Sequence, residues 1–512
     1  MTGTNGDEPS WMPSVEAHDD SGTRRRLDVL DVEAGSVRTV SPDALNAWEA
    51  VWCGPDRIAA VVTNEPGEDA WYGARVVLLD VESGQARDLY ATGRPDRQMA
   101  WPAGSPSGQR VAVVRGLASD REVVAGDVVL VDTGSGRALD VDTAGCDVTW
   151  LSWRDEDHLF YAGQRGLETV AGEISVGDAG TPSATELWAN HESFGQRYPQ
   201  AEPFGDGFVA VLESHDRAPE IAVWRDGKPR TVASFAHDGT RWLTEAGGRL
   251  EQVEWTAPDG RDIQGLLLVV PEGPGRHALL VHVHGGPVWA YRNRWAMGSH
   301  LTPLLVTRGY AVLHPNPRGS SGRGQEFTAR VVGDMGGADA DDVLAGVDAL
   351  VERGIADPER IGVFGGSYGG FMSAWLVTRT ERFAAACAFS PVTDWYSQHW
   401  GSNIGAWDSA FLESDPATPG GPYFDRSPVM FGSRVRTPVL VTAGLQDRCT
   451  PPGQAVEFYR ALREHGVDAD VAIYPEEGHG VRQMPALFDF CARAVGWFEK
   501  YMPARRGGSG GS

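Results

Sequence analysis

Ser367 stands within Gly365-Gly366-Ser367-Tyr368-Gly369-Gly370, a G-x-S-x-G pattern between the apolar run Ile361 to Phe364 and the start of a helical pattern. A serine on so sharp a strand-to-helix turn takes strained backbone angles and projects its hydroxyl above a sheet, which only small flanking residues allow. The pattern alone is weak: one residue in eight is glycine, and Ser509 in the Gly/Ser tail supplies a second, meaningless match. The flanking strand and helix distinguish Ser367.

A serine hydroxyl needs a base to become a nucleophile, and the base needs an orienting carboxylate. Asp447 follows the run Pro438 to Thr442, and His479 follows the run Ala469 to Tyr474. Both are placed to reach the edge that bears Ser367, in the order serine, acid, histidine. Ser367, Asp447 and His479 are therefore the expected catalytic triad. Asp394 is the competing acid, and His465, before Gly466 at a helix end, reads as a capping or solvated residue.

The oxyanion is expected to be met by the amide of Tyr368 and one from His284-Gly285-Gly286-Pro287, with Gly286 the first choice and Gly285 next. His282 and His284 have no acidic or cysteine partner nearby in sequence, so neither a metal nor a cofactor is expected. Trp395, Tyr396, Trp400 and Trp407 either line a pocket for an apolar side chain or pack beneath a long loop.

The elements that must position these residues begin near Val253. Apolar runs at 279–283, 310–314, 360–364, 384–389, 438–442 and 469–474 alternate with helical patterns at 338–353, from about 370, at 454–465 and at 485–501. Such alternation specifies a mainly parallel sheet with helices on both faces, an α/β-hydrolase domain over residues 249–503. Residues 25–248 read differently. The runs beginning at Ile58, Val111, Leu159 and Phe208 start 53, 48 and 49 residues apart, and an Asp-x-x-x-Gly turn follows the second run of the first two units, the later ones being degenerate. A period near 50 in short, turn-bounded strands predicts β-propeller blades. Four blades are complete, and fragments at Leu27–Ser41 and Arg241–Trp255 are expected to combine into a fifth; an irregular β-sandwich is the alternative. Residues 1–24 are polar and acidic and are expected to be disordered, while 504–512 read as a Gly/Ser linker or tag remnant.

Over 512 residues, two domains are expected, each able to bury a core. A net charge of -25 with no local basic cluster argues against nucleic acid and anionic membrane as partners. No run reaches the length of a membrane span and no secretory signal opens the chain, so a soluble, cytoplasmic protein is expected. The five scattered cysteines read as reduced thiols.

Together, His284-Gly-Gly-Pro287, Asn316-Pro-Arg-Gly-Ser320, Gly365-Gly-Ser-Tyr-Gly-Gly370, Ser390-Pro-Val-Thr-Asp-Trp395, Arg426-Ser-Pro428, Gln446-Asp447 and Glu477-Gly-His-Gly480 resemble the prolyl oligopeptidase family, in its acylaminoacyl-peptidase and dipeptidyl-aminopeptidase-like branch. The resemblance implies a propeller that screens a catalytic cavity. Two features depart from it. The front region has room for about five blades where relatives usually carry about seven or eight, and Asp447-Arg448-Cys449 puts arginine one position earlier than the Asp-x-Arg of many relatives. The expected function is a serine peptidase cleaving near the N-terminus of short peptides, acylated or free. A small-molecule amidase or esterase is the alternative, and the triad argues against a third reading, a non-catalytic interaction propeller. For a free N-terminus a propeller carboxylate should hold the ammonium, Glu192 and Glu213 being candidates. A homo-oligomer is compatible with the sequence.

Overall fold

The computed structural model describes residues 24–504 except 95, 178–180, 196 and 271–275, so the expected disorder of the N-terminal tail and the C-terminal linker fall almost wholly outside the described residues. Residues 46–234 form four antiparallel sheets. The first three have four strands each: Asn46–Trp52, Arg57–Thr63, Arg75–Asp80 and Ala86–Tyr90; then Gln98–Gly104, Arg110–Gly116, Asp127–Asp132 and Ala138–Val141; then Asp147–Trp153, His158–Arg165, Glu168–Ser175 and Ser183–Asn190. In the fourth, Ser193–Phe194 and Glu202–Phe204 both pair with Gly207–Ser214, followed by Arg217–Arg225 and Lys228–Ser234.

The recurring turn has a direct cause. Asp80 Oδ1 accepts from the amide and hydroxyl of Ser83 (2.8 and 2.6 Å), and Asp132 Oδ1 does the same with Ser135 (2.7 and 2.6 Å). Gly84 and Gly136 then take φ of 68° and 72°, which lets the chain reverse at little steric cost. The β-branched second and third strands are buried between neighbouring blades, whereas the last strand, Lys228–Ser234, is exposed along its length. One apolar cluster joins the first three blades and another joins the third to the fourth. No comparable packing joins the fourth to the first among the described residues, so the blades form an arc.

The expected fifth blade does not form. Leu27–Ser41 makes a two-stranded hairpin, Asp28–Asp31 with Ser36–Thr39, whose Leu27 and Val29 rest on the first blade. Arg241–Trp255 divides between a helix, Asp238–Ala246, and the first strand of the next domain. The reason is burial of Trp255: its indole N–H donates to the Asp342 carbonyl at 2.8 Å and its ring lies over Gly346, where a Cβ would come within 2.8 Å. Pairing that segment with the hairpin would strip a large aromatic from the second core.

The second domain is built on eight strands: β1 (Arg249–Thr256), β2 (Asp262–Val269), β3 (His277–Val283), β4 (Ala311–Asn316), β5 (Ala356–Gly366), β6 (Ala385–Phe389), β7 (Val439–Gly444) and β8 (Ala469–Tyr474). Their order is β1-β2-β4-β3-β5-β6-β7-β8, antiparallel through β4 and parallel from there on. Alternate residues of β3 feed cores on opposite faces, Leu279, Val281 and Val283 on one and Ala278 and Leu280 on the other. The helices that position the site are α1 (Ala338–Glu352), α2 (Tyr368–Arg379), α3 (Trp395–Gly401), α4 (Gly453–Glu464) and α5 (Ala486–Tyr501). This is an α/β-hydrolase domain preceded by a propeller domain. No helix among the described residues is long and apolar enough to cross a membrane.

Candidate active site

Ser367 joins β5 to α2 with φ 60° and ψ -121°, a conformation that few residues other than glycine adopt. Its glycine neighbours explain how the turn fits. A Cβ on Gly365 would come within 2.4 Å of the Val283 carbonyl, on Gly369 within 2.1 Å of the same oxygen, and on Gly370 within 2.5 Å of the Phe389 carbonyl. The turn is wedged between β3 and β6, and the Ser367 amide donates to the Phe389 carbonyl at 3.0 Å.

Because β5, β6, β7 and β8 run parallel as successive neighbours, the loops after them open on one edge. Asp447 and His479 meet there: His479 Nδ1 lies 2.8 Å from Asp447 Oδ2. The Asp447 carboxylate is buried and fully used. Its Oδ1 accepts from the amides of Cys449 and Thr450 (both 2.9 Å), and its Oδ2 also accepts from the Thr450 hydroxyl at 3.0 Å. Gly444 allows the two loops to touch, since a Cβ there would come within 2.2 Å of the carbonyls of Glu477 and Gly478. The Ser367 hydroxyl makes no hydrogen bond among the described residues; catalytic contacts of this type commonly tighten only when substrate binds.

Burial works to lower the affinity of His479 for a proton, but the hydrogen bond and charge of Asp447, aided by Asp120, outweigh it and raise His479 above its ordinary value. Burial raises Asp447, and the bond to His479 overcomes this to leave the carboxyl below its ordinary value. The pair thus favours an anionic carboxylate beside an imidazole that accepts a proton readily.

The amides of Gly286 and Tyr368 have no acceptor among the described residues. Tyr368 opens α2, where the free N–H groups of the first turn face outward. Gly285 lies against the turn, its ideal Cβ position 3.4 Å from Ser367 Cβ, and Gly286 follows with φ 124°. His284 holds this loop. Burial pushes its imidazole down to about 4, and the neutral ring donates from Nδ1 to the Gly285 carbonyl (2.7 Å) while Nε2 accepts from the Ser320 hydroxyl (2.9 Å). His282 points to the opposite face and stacks on Phe364 at 4.2 Å.

The aromatic expectation divides. Trp395 is 1% exposed, donates from its indole to the Arg426 carbonyl at 2.9 Å and packs on Phe371 and Trp407. It belongs to the core with Trp407 and is closed to substrate, which corrects the pocket reading for that residue. Tyr396 is half-buried beside Tyr423, and Trp400, 74% exposed, stands on the surface against His399. Asp394 caps α3 by accepting from the Tyr396 amide at 2.9 Å, and His465 ends α4. Arg448 is exposed.

Glu192 and Glu213 are already paired, with Arg217 and Arg294 respectively, each at 2.9 Å. The propeller carboxylate near the triad is instead Asp120, in the loop between the second and third strands of the second blade. Burial raises its carboxyl, and the charges of His479 and Arg197 oppose that. No motif marks Asp120, so the sequence reading missed it. Three supports were also missed: Glu477, which accepts from the amides of Arg482 (3.1 Å) and Gln483 (3.0 Å) and so braces the His479 loop; Asp339, which accepts from the Tyr368 hydroxyl at 2.6 Å beneath the turn; and Asp147. Asp147 comes from the third blade and accepts from the amides of Gly322 and Gly324, in the loop whose Ser320 holds His284. Glu477 could have been suspected from its place two residues before the histidine. The others needed tertiary contacts.

Residues 295–505 match the prolyl oligopeptidase family. An uncharacterized peptidase, YuxL, of Bacillus subtilis is 37% identical over 279 residues, covering 54% of this chain and 42% of that protein. The chain spans less than half the length of the first curated relatives it matches. Among solved structures, the Pyrococcus horikoshii acylaminoacyl peptidase is similar with TM-score 0.76 at 20% identity, covering 94% of this chain and 75% of that one. A puromycin hydrolase structure is similar with TM-score 0.75 at 22% identity, covering 93% and 73%. Those likenesses speak to the fold of both domains, and the family match falls on the domain that carries Ser367, Asp447 and His479. Over residues 295–505, in that domain, the chain is similar to the prolyl oligopeptidase family.

Proposed function

We propose that this chain is a serine peptidase that hydrolyses amide bonds near the N-terminus of short peptides. The observation that carries this is the pairing of partly exposed His479 with buried Asp447 at the sheet edge that bears Ser367, with two amides free beside it. His479 takes the hydroxyl proton as Ser367 Oγ attacks the carbonyl, and Asp447 holds the resulting imidazolium. The amides of Tyr368 and Gly286 receive the oxyanion. Collapse expels the amine, which takes the proton from His479, and water then hydrolyses the acyl-enzyme by the same steps.

Asp120 supports a free N-terminus. With Glu192 and Glu213 engaged by arginines, it is the propeller carboxylate whose charge reaches the triad, and an ammonium is the substrate group it would hold. The second reading is a small-molecule amidase or esterase, and its support is the likeness to a hydrolase of puromycin. The free cysteines, four of them buried, support action in a reducing cytoplasm, and the net charge of -25 supports a short peptide rather than nucleic acid or an anionic membrane as partner.

A panel of aminoacyl, dipeptidyl and acetyl-aminoacyl chromogenic amides beside simple esters tests this. Cleavage of free aminoacyl or dipeptidyl amides is expected. Cleavage confined to esters would remove the peptidase reading, and failure of a fluorophosphonate to label Ser367 would remove catalysis. On the pH plateau, above the acid limb, Asp120→Asn should weaken kcat/KM for free-amine substrates by about 10- to 100-fold, the worth of a charge-assisted contact, and leave acetylated ones unchanged.

A further inference from the structure

The first strands of the first three blades, joined by Glu202 of the fourth sheet, line a cleft of about 640 Å³ that the triad does not use. Its walls carry Trp52, Trp101, Trp150 and Trp153 with the carboxylates of Glu49 and Glu202, and none of its lining residues is lysine, arginine or histidine. Three of the indole N–H groups are turned to protein: Trp101 donates to the Val124 carbonyl, Trp150 to Glu202 Oε1 and Trp153 to the Ala103 carbonyl, each at 3.1 Å. With those donors committed, the rings offer a ligand their π faces. Trp101 and Trp150 stand 5.6 Å apart with their planes 53° to one another, and Trp52 is half exposed at the rim.

Trp101 has φ 56°, a left-handed conformation that a bulky residue adopts only where its surroundings impose it. The strand bulges there, between Ala100 and Ala103, and Glu49 Oε2 holds the bulge by accepting from the Trp101 amide at 2.7 Å. The other Glu49 oxygen accepts no hydrogen bond among the described residues. Burial pushes this carboxyl up to about 7, against the opposing pull of the Trp101 amide and Arg121, so the site has an unmet demand for positive charge. Indole faces beside an under-neutralised carboxylate are the chemistry that recognises organic cations.

We propose that this cleft binds a guanidinium group, as carried by an arginine side chain of a peptide, at a distance from the bond being cleaved. The planar cation fits the splayed indoles and pairs with Glu49. The cleft also shares a loop with the catalytic edge: Val124, which holds Trp101, lies four residues from Asp120, whose charge acts on His479. As a substrate subsite the assignment rests on the peptidase reading; as a binding site it stands alone.

The test is calorimetric titration of the full chain carrying Ser367→Ala with N-acetyl-L-argininamide, and with the neutral, nearly isosteric N-acetyl-L-citrullinamide as control. Saturable binding of the arginine compound is expected, with the citrulline compound at least about tenfold weaker. Glu49→Gln, which keeps an acceptor for the Trp101 amide, and Trp52→Ala, at the exposed rim, should each weaken binding by about tenfold. The same two substitutions in the chain that keeps Ser367 should leave fluorophosphonate labelling unchanged. Equal binding of the two compounds, no saturable binding, or unchanged affinity in both variants would overturn the proposal. Loss of labelling in the unsubstituted chain with arginine binding intact would remove the enzyme reading and leave the cleft's assignment standing.

Discussion

The catalytic sheet delivers Ser367, Asp447 and His479 on loops at the ends of parallel strands, whereas the blades deliver Glu49, Trp101 and Trp150 on the faces of antiparallel ones. In the first arrangement a single edge collects the loops, so Asp447 and His479, 80 and 112 positions after Ser367, arrive together, and glycines decide how closely the loops touch. In the second, the repeat does the collecting. Trp52, Trp101 and Trp150 are 49 residues apart and fall on the first strand of successive blades, so one wall gathers them. Reacting groups need the rigid backbone of a sheet edge and its free amides; a recognition surface needs area and tolerates a graded set of side chains.

That contrast can be broken or sharpened experimentally. If the edge carries the chemistry, Ser367→Ala should cut kcat by about 10⁶-fold and Asp447→Asn by about 10⁴-fold, with unchanged far-ultraviolet circular dichroism; a parent-like rate in either variant would remove the triad. Two tryptophans five residues apart provide the next contrast. Trp395→Ala, in the core, should cost about 3–5 kcal/mol in urea unfolding, while exposed Trp400→Ala should stay within about 0.5 kcal/mol of the parent.

Asp147→Ala tests whether the blades steady the edge. Leaving the amides of Gly322 and Gly324 unpaired should cost about 1–3 kcal/mol and lower kcat more than it raises KM, because that loop leads through Ser320 and His284 to the free amides. An effect on stability alone would make the contact merely structural.

The smallest effect is electrostatic. In the proposed mechanism His479 must be neutral to accept the proton, so its raised affinity for protons should place the acid limb of the kcat/KM profile above the ordinary histidine value of 6.5. Asp120→Asn removes an anion that favours the imidazolium, so activity should persist to lower pH; a limb that stays fixed or moves upward would place Asp120 too far away to matter.

The sequence carried the catalytic half well, because the apolar runs there are parallel strands, all but the edge strand buried, and Ser367, Asp447 and His479 each follow one. The run at 469–474 coincides with β8, and the helix expected over 338–353 is α1 to within one residue. The propeller half was legible in period but not in number. The Asp-x-x-x-Gly turns marked blades correctly, yet the segment 241–255 was divided by competition for Trp255, which no local pattern reveals. Similar in kind is Trp395, since an aromatic after a strand looks the same whether it meets a substrate or Phe371.

Residue order and spacing determined by themselves which strand each reactive side chain follows, and a parallel sheet converts that order into convergence, because successive strands must end on the same side. Tertiary structure alone decided which carboxylates are free. Glu192 and Glu213 were taken by arginines distant in sequence, while Asp120 was brought beside His479 by packing of the blades on the catalytic domain. A charge acts through distance in space and burial, neither of which is written along the chain.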